Sequence, residues 1–158
     1  MTTLSISKKE ILAKYRDGEL REKTLLEELF GSEIFSEKVT DRVKTLDDAF
    51  KETGRPATPK FSDAPEDMRE WFQSLYNAAV FTEALNEGWK ADYNDGNQKK
   101  WLPWFNSITP SGFAFDDADC ASSCPDAGSA ARLCLKDESL AIYSGKQITE
   151  VHKGIITK

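Results

Sequence analysis

The chain has 158 residues, close to the commonest size of one domain, and its 39% hydrophobic and 30% charged content can build a core, which excludes a disordered type. A net charge of −6, with every lysine run interrupted by Glu or Asp, speaks against nucleic-acid binding, which needs a basic face. No stretch approaches the roughly 20 apolar residues that span a bilayer, and residues 1–10 lack the apolar centre of a signal peptide. A cytoplasmic protein that touches no membrane, with three reduced cysteines, is the expectation.

In chain order, Ser7 followed by Glu10 reads as a capping box that opens a short helix through Tyr15, and Asp17-Gly18 breaks it. A second helix is expected from Glu19 to Phe30, with Leu20, Leu25, Leu26, Leu29 and Phe30 on its apolar side and Gly31 as its stop. Residues 34–44 are ambiguous. Thr45 with Asp48 marks a further helix that ends at Gly54. Residues 1–54 thus form a helical N-terminal region. Pro56 and Pro59 make 55–62 a linker, short enough to join packed parts.

Residues 63–158 carry the main module. Asp63 caps a helix with Pro65 in its first turn, along which Met68, Phe72, Leu75, Ala79 and Leu85 follow helical spacing. Trp71, Tyr76, Val80 and Phe81 widen that stripe, so the helix packs on more than one side and organises the core. Asn86-Glu87-Gly88 ends it. The period then turns to alternation. Residues 100–108 read as a strand with Trp101 and Phe105 on one face and Leu102 and Trp104 on the other; Pro103 places it at an edge or a bulge. Residues 109–112 form a hairpin turn, 113–116 the partner strand, 117–129 a small-residue loop and 132–136 a third strand. Asp137 caps a last helix to about Lys153, with Leu140, Ala141, Ser144, Ile148 and Val151 inward. Gly145 inside it implies close contact with a neighbour. The fold class is α+β: a helical N-terminal region, then helix, three-stranded antiparallel sheet, helix, packed as one unit.

The pieces ALNEGWKADY (84–93), KKWLPWF (99–105), GFAFDD (112–117) and the run from Ser129 to Lys153 resemble a family of small proteins encoded by bacteriophages, prophages and mobile elements of gut bacteria. LLEELFGSEIF (25–35) and TDRVKTLDDAF (40–50) are similar to it as well. The resemblance covers nearly the whole chain and implies a mobile-element origin. The family has no established function, so it assigns no functional residues here. The stretch matching 106–130 differs in length and content between members, which is what a binding surface on a constant frame looks like and also what an unconstrained loop looks like.

The chemistry-bearing residues are few. Cys120 and Cys124 stand at a spacing used for zinc, and Cys134 with His152, Asp117 or Asp119 could complete a set. The alternative is two loop thiols and one thiol near the core. His152, the only imidazole, is the one base a cysteine nucleophile could use; such a histidine is more often a partly exposed surface residue. Asp116, Asp117, Asp119 and Asp126 read as a solvated acidic loop. No Gly-rich phosphate loop is present. The aromatic set is the main feature. Both faces of the first strand carry large rings, so either the N-terminal helices cover the second face or an aromatic patch stays exposed.

The reading that follows is a non-enzymatic interaction module of a phage or mobile element. It would bind a protein partner through the aromatic sheet edge and the 116–129 loop, with Trp101, Trp104, Phe105, Phe113, Phe115, Asp116, Asp117 and Asp119 as contact residues. Self-association through the N-terminal helices is a variant. No cofactor is implied. The alternatives are a small zinc domain on Cys120, Cys124, Cys134 and His152 with a possible catalytic role, and a minor virion component.

Overall fold

The computed structural model describes residues 8–35, 38–109, 112–121 and 131–157. Among these it is α+β, with seven α-helices, two 3₁₀ turns and one two-stranded antiparallel sheet. The chain divides between Arg42 and Val43 into two compact units.

In the first unit, α1 (Lys8–Asp17) and α2 (Leu20–Phe30) meet at Gly18, where a Cβ would lie 2.8 Å from the Lys14 carbonyl oxygen. The Glu22 carboxylate reaches back to accept from the Glu19 N–H at 2.9 Å, and Gly31 (φ 84°) stops α2 by donating to the Glu27 carbonyl. A 3₁₀ turn (Ser32–Phe35) then stacks Phe35 on Tyr15 with centroids 4.2 Å apart, while the Tyr15 hydroxyl donates to Glu27. Stack and hydrogen bond close the helical hairpin on itself. One turn of helix, α3 (Val39–Arg42), completes the unit. The cap expected at Ser7 lies outside the described residues.

The second unit opens with α4 (Leu46–Thr53). Thr45 accepts from the Asp48 N–H, Asp48 accepts from the Thr45 N–H, and Gly54 ends the helix in the left-handed region, as its local sequence requires. The long helix α5 (Glu66–Asn86) follows and stops where Glu87 (φ 48°) and Gly88 (φ 90°) both turn left-handed. Between them, residues 55–64 lie along α5 as a strap. The Tyr76 hydroxyl donates to the Pro56 carbonyl, Arg69 donates to the carbonyls of Ser62 and Ala64, and Phe61 packs on Phe72 and Tyr76. A proline-containing segment cannot supply many backbone donors, so its carbonyls are met by side chains from the helix.

Strands β1 (Lys100–Thr109) and β2 (Gly112–Ala121) form the hairpin, closed by the Thr109–Gly112 pair; Pro110 and Ser111 lie outside the described residues. β2 runs past the expected end at Asp116, because Ala118 is small enough to be buried opposite Pro103 and carry the strand onward. The third strand expected at 132–136 is not seen. Residues Ala131–Leu133 form a 3₁₀ turn, and Leu135 alone bridges to Trp101, each donating its N–H to the other's carbonyl at 2.8 and 3.0 Å. The reason lies in Pro103. Two residues beyond the bridge, it faces the same side as Trp101 and has no N–H to give, so the ladder cannot grow that way. In the other direction Asp137 is already engaged, capping the next helix through the Leu140 N–H at 2.9 Å.

The single helix expected from Asp137 to Lys153 is two: α6 (Glu138–Gln147) and α7 (Thr149–Ile156), broken at Ile148 (φ −122°, ψ 40°). The Thr149 hydroxyl takes the Gly145 carbonyl at 2.7 Å, a carbonyl that a continuous helix would bond to a backbone N–H. The break lets α6 lie against the hairpin while α7 lies against α5. The layers are therefore hairpin, α6 and α7, α5, α4, with Phe81, Leu85, Leu135, Val43 and Ala141 wholly buried between them. Ser144 and Ile148 are buried as expected, whereas Met68 at the start of α5 is exposed.

Two close approaches hold these layers. A Cβ on Gly145 would fall 2.2 Å from the Phe115 ring and 3.1 Å from Pro103, and one on Gly154 of α7 would fall 2.2 Å from the Ser74 hydroxyl of α5. The neighbour expected from Gly145 is thus a rigid aromatic ring. Gly145→Ala is expected to destabilise the protein by about 2–3 kcal/mol despite the better helix propensity of Ala, because the ring has to move. Urea denaturation of the two proteins measures it; equal midpoints would show that α6 does not approach so closely.

Candidate functional site

Chemistry on the hairpin follows from which side chains share a face. Register pairs Trp101 with Cys120, Pro103 with Ala118, Trp104 with Asp117 and Phe105 with Phe115, leaving Asp116 as an extra residue on β2. Strict alternation would put Phe113, Phe115, Asp117 and Asp119 on one face. The bulge at Asp116 breaks the alternation and sends the rings and the acids to opposite sides.

On the inner face Phe105 stacks on Phe113 (4.9 Å), meets Phe115 edge-on (6.0 Å) and lies 4.8 Å from the His152 ring. Trp101 shares this face and is half-buried, with the Lys99 ammonium 5.8 Å from its ring centre. Among the residues singled out from sequence, Trp101, Phe105, Phe113 and Phe115 thus turn inward and are half-buried.

The outer face carries Leu102, Trp104, Asp117 and Asp119. Trp104 is 57% exposed, directly across from Asp117. Asp117 and Asp119 are strand residues, not loop residues, and they also protect the strand edge. Because Trp101 gives its backbone groups to Leu135, its partner Cys120 and the similarly oriented Ala118 turn their N–H groups to the far edge of β2, which has no strand partner among the described residues. The Asp117 carboxylate accepts from Ala118 N–H at 2.8 Å and the Asp119 carboxylate from Cys120 N–H at 2.7 Å. Acidic side chains that occupy edge donors discourage pairing with another strand. Of the expected 116–129 loop, residues 122–130, including Cys124 and Asp126, lie outside the described residues.

Cys120 is partly exposed; Cys134 is buried, its sulfur 3.5 Å from the Tyr93 hydroxyl. Burial first, then the contact with this sulfur, pushes the Tyr93 phenol up to about 12, so it stays protonated at neutral pH. His152 is not the surface residue expected: it is only 5% exposed, against Phe105 and 3.4 Å from the Ser144 hydroxyl. Burial holds its pKa down to about 4, which keeps the ring neutral at pH 7. Among the described residues no three His, Cys, Asp or Glu side chains gather into a metal-holding group. No helix among them is long and apolar enough to cross a membrane.

A second region comes from the turn after α5, which sequence reasoning passed over as a helix stop. Its loop is tied from inside by Lys100, 4% exposed, whose ammonium donates to the carbonyls of Gln98 (2.8 Å) and Asp95 (3.2 Å) and lies 5.3 Å from the Tyr93 ring centre. The Gln98 side chain accepts from Asp92 N–H at 2.6 Å. The loop so held forms one wall of a concavity of about 470 Å³. Its residues come from separate stretches of chain, so no spacing rule could assemble them; the local signal was a Trp, a Lys and a Tyr within the five residues 89–93 that follow the end of α5.

No family model, no curated protein and no solved structure matches the chain.

Two predictions follow from the buried polar groups. Lys100→Met is expected to cost about 1–3 kcal/mol in chemical denaturation, since two carbonyls lose a charged donor; an unchanged midpoint would show that the loop holds without it. For His152, folded and unfolded chains are both neutral above pH 6.5, so its burial costs nothing there. Between pH 6.5 and about 4 the unfolded chain takes a proton that the folded one refuses, and stability falls as the pH drops. Below about 4 both are protonated and the loss levels off near roughly 3 kcal/mol. His152→Asn should flatten that part of the stability–pH curve, and an equally steep curve in the variant would show that another group titrates.

Proposed function

We propose that the protein is a non-enzymatic interaction module that binds a protein partner through the outer face of its hairpin. The observation that supports this is Trp104. A tryptophan more than half exposed on a rigid strand pair has a large apolar surface that folding leaves in water. Such residues recur as the anchors of protein interfaces. Around it stand Leu102, Asp117 and Asp119, so the partner this face fits is one that offers an apolar pocket rimmed by Lys or Arg. Two copies placed face to face would bring carboxylates of like charge together, which favours a different protein over self-association. Docking uses the face and not the edge, since the edge donors of Ala118 and Cys120 are taken by their own neighbouring carboxylates.

The resemblance to mobile-element proteins supports a partner belonging either to the bacterium or to the element itself. The second face of the hairpin is needed for packing, so this reading narrows the contact set to Trp104, Leu102, Asp117 and Asp119, with Asp116 beside them at the bulge.

The test is affinity capture followed by measurement of the recovered partner against two variants. Trp104→Ala is expected to weaken binding by about tenfold or more, and Asp117→Lys by a similar factor that shrinks at high salt. Thermal midpoints should stay within a few degrees of the parent, because both side chains lie outside the core. A partner held equally well by both variants, or no partner at all, would count against the proposal.

A further inference from the structure

The concavity at the C-terminal end of α5 carries more chemistry than the fold uses. Its floor is rigid and neutral. The buried Asn86 amide donates to the Cys134 carbonyl at 2.8 Å and accepts from the Lys136 N–H at 3.0 Å, so both ends of the side chain are occupied. Its wall is the loop that Lys100 and Gln98 fasten from behind, with Trp89 half-buried and Tyr93 beside Cys134. Preorganised walls of this kind suit a ligand, because little ordering cost remains to be met on binding.

The charge of the cleft runs against that of the chain. Arg55 is matched, donating to both oxygens of Glu83 at 3.0 Å. Lys90 and Arg132 also line the space, and neither is in an ion pair among the described residues. Two cations with no ion-pair partner among the described residues therefore line one concavity on a protein whose net charge is −6. An aromatic wall with cations at its rim matches a ligand that joins a flat ring to an anion. Arginine is the side chain best shaped to grip phosphate oxygens, and an indole offers a stacking surface to any base. The volume, about 470 Å³, is of the order that holds one small molecule and not a chain.

We infer that this cleft is a small-molecule site for a nucleoside monophosphate, with the phosphate between Arg132 and Lys90 and the base against Trp89. It is separate from the hairpin face proposed for the protein partner, and neither proposal depends on the other.

Calorimetric titration of the full chain with AMP, UMP, adenosine and inorganic phosphate at about 0.15 M salt tests it. At least one of the two nucleotides is expected to saturate with a Kd below about 1 mM, at least about tenfold tighter than adenosine or phosphate alone. Arg132→Gln and Trp89→Ala are each expected to weaken that binding by about tenfold, while Trp104→Ala leaves it unchanged. Circular dichroism and the thermal midpoint check that each variant is folded. If Trp89→Ala does not fold, Trp89→Phe keeps a ring and should retain part of the affinity, and Arg132→Gln still decides on the phosphate. Failure of both nucleotides to saturate by about 10 mM overturns the assignment, as does binding that Arg132→Gln leaves intact.

Discussion

Where α6 crosses the hairpin, Gly145 sits so near the Phe115 ring that no side chain fits between them. That contact sets the distance between two layers, and much else depends on it. It lets the inner rings of Phe105, Phe113 and Phe115 form one cluster with the His152 imidazole of α7. It allows Ala118 to be buried beside them. A second glycine, Gly154, performs the same service between α7 and α5. Close helix approach of this kind trades local helix propensity for dispersion contacts across a layer, and a core at native packing density has little slack to absorb the difference.

Three buried polar groups among the described residues of the second unit, Asn86, Lys100 and His152, have hydrogen-bond partners that tie elements together. Asn86 ties the end of α5 to the segment that bridges to β1. Lys100 serves as the internal cation of the loop before β1. His152 stays neutral because burial disfavours its charged form. These groups fasten the elements that carry the exposed Trp104 and the cleft cations.

Both ends of α4 and the stop of α5 were legible because the information for them is local, whereas the cap expected at Asp63 is not seen: α5 begins at Glu66 behind Pro65 with no side-chain cap. The Thr45–Asp48 box and Gly54 bound α4, and Glu87 and Gly88 end α5, from residues within one turn of each boundary. The first strand and the assignment of its faces were legible from alternation, since β1 itself is unbroken between Lys100 and Asn106. The extension of β2 to Ala121 was not, because an Ala- and Asp-rich run has no strand propensity of its own and is held by pairing with β1. The split of the last helix escaped for a similar reason: 138–153 has a continuous helical period, and the break at Ile148 serves two different packing partners. The site was legible only in part. An aromatic excess on two faces could be counted, but which rings stay in water could not.

The sequence by itself determined the α+β class, the caps at Thr45 and Asp137, the stops of α2, α4 and α5, and the side of β1 on which each ring lies. Those features depend on backbone preferences and side-chain period over a few residues. Only the tertiary structure decided that β2 bulges at Asp116, so that Phe115 turns inward while Asp117 stands beside Trp104. It alone decided that the third strand shrinks to a single bridge, that His152 is buried, and that Trp89, Lys90 and Arg132 face one cleft. Each of these outcomes rests on contacts between residues far apart in the chain, whose energies no local pattern encodes.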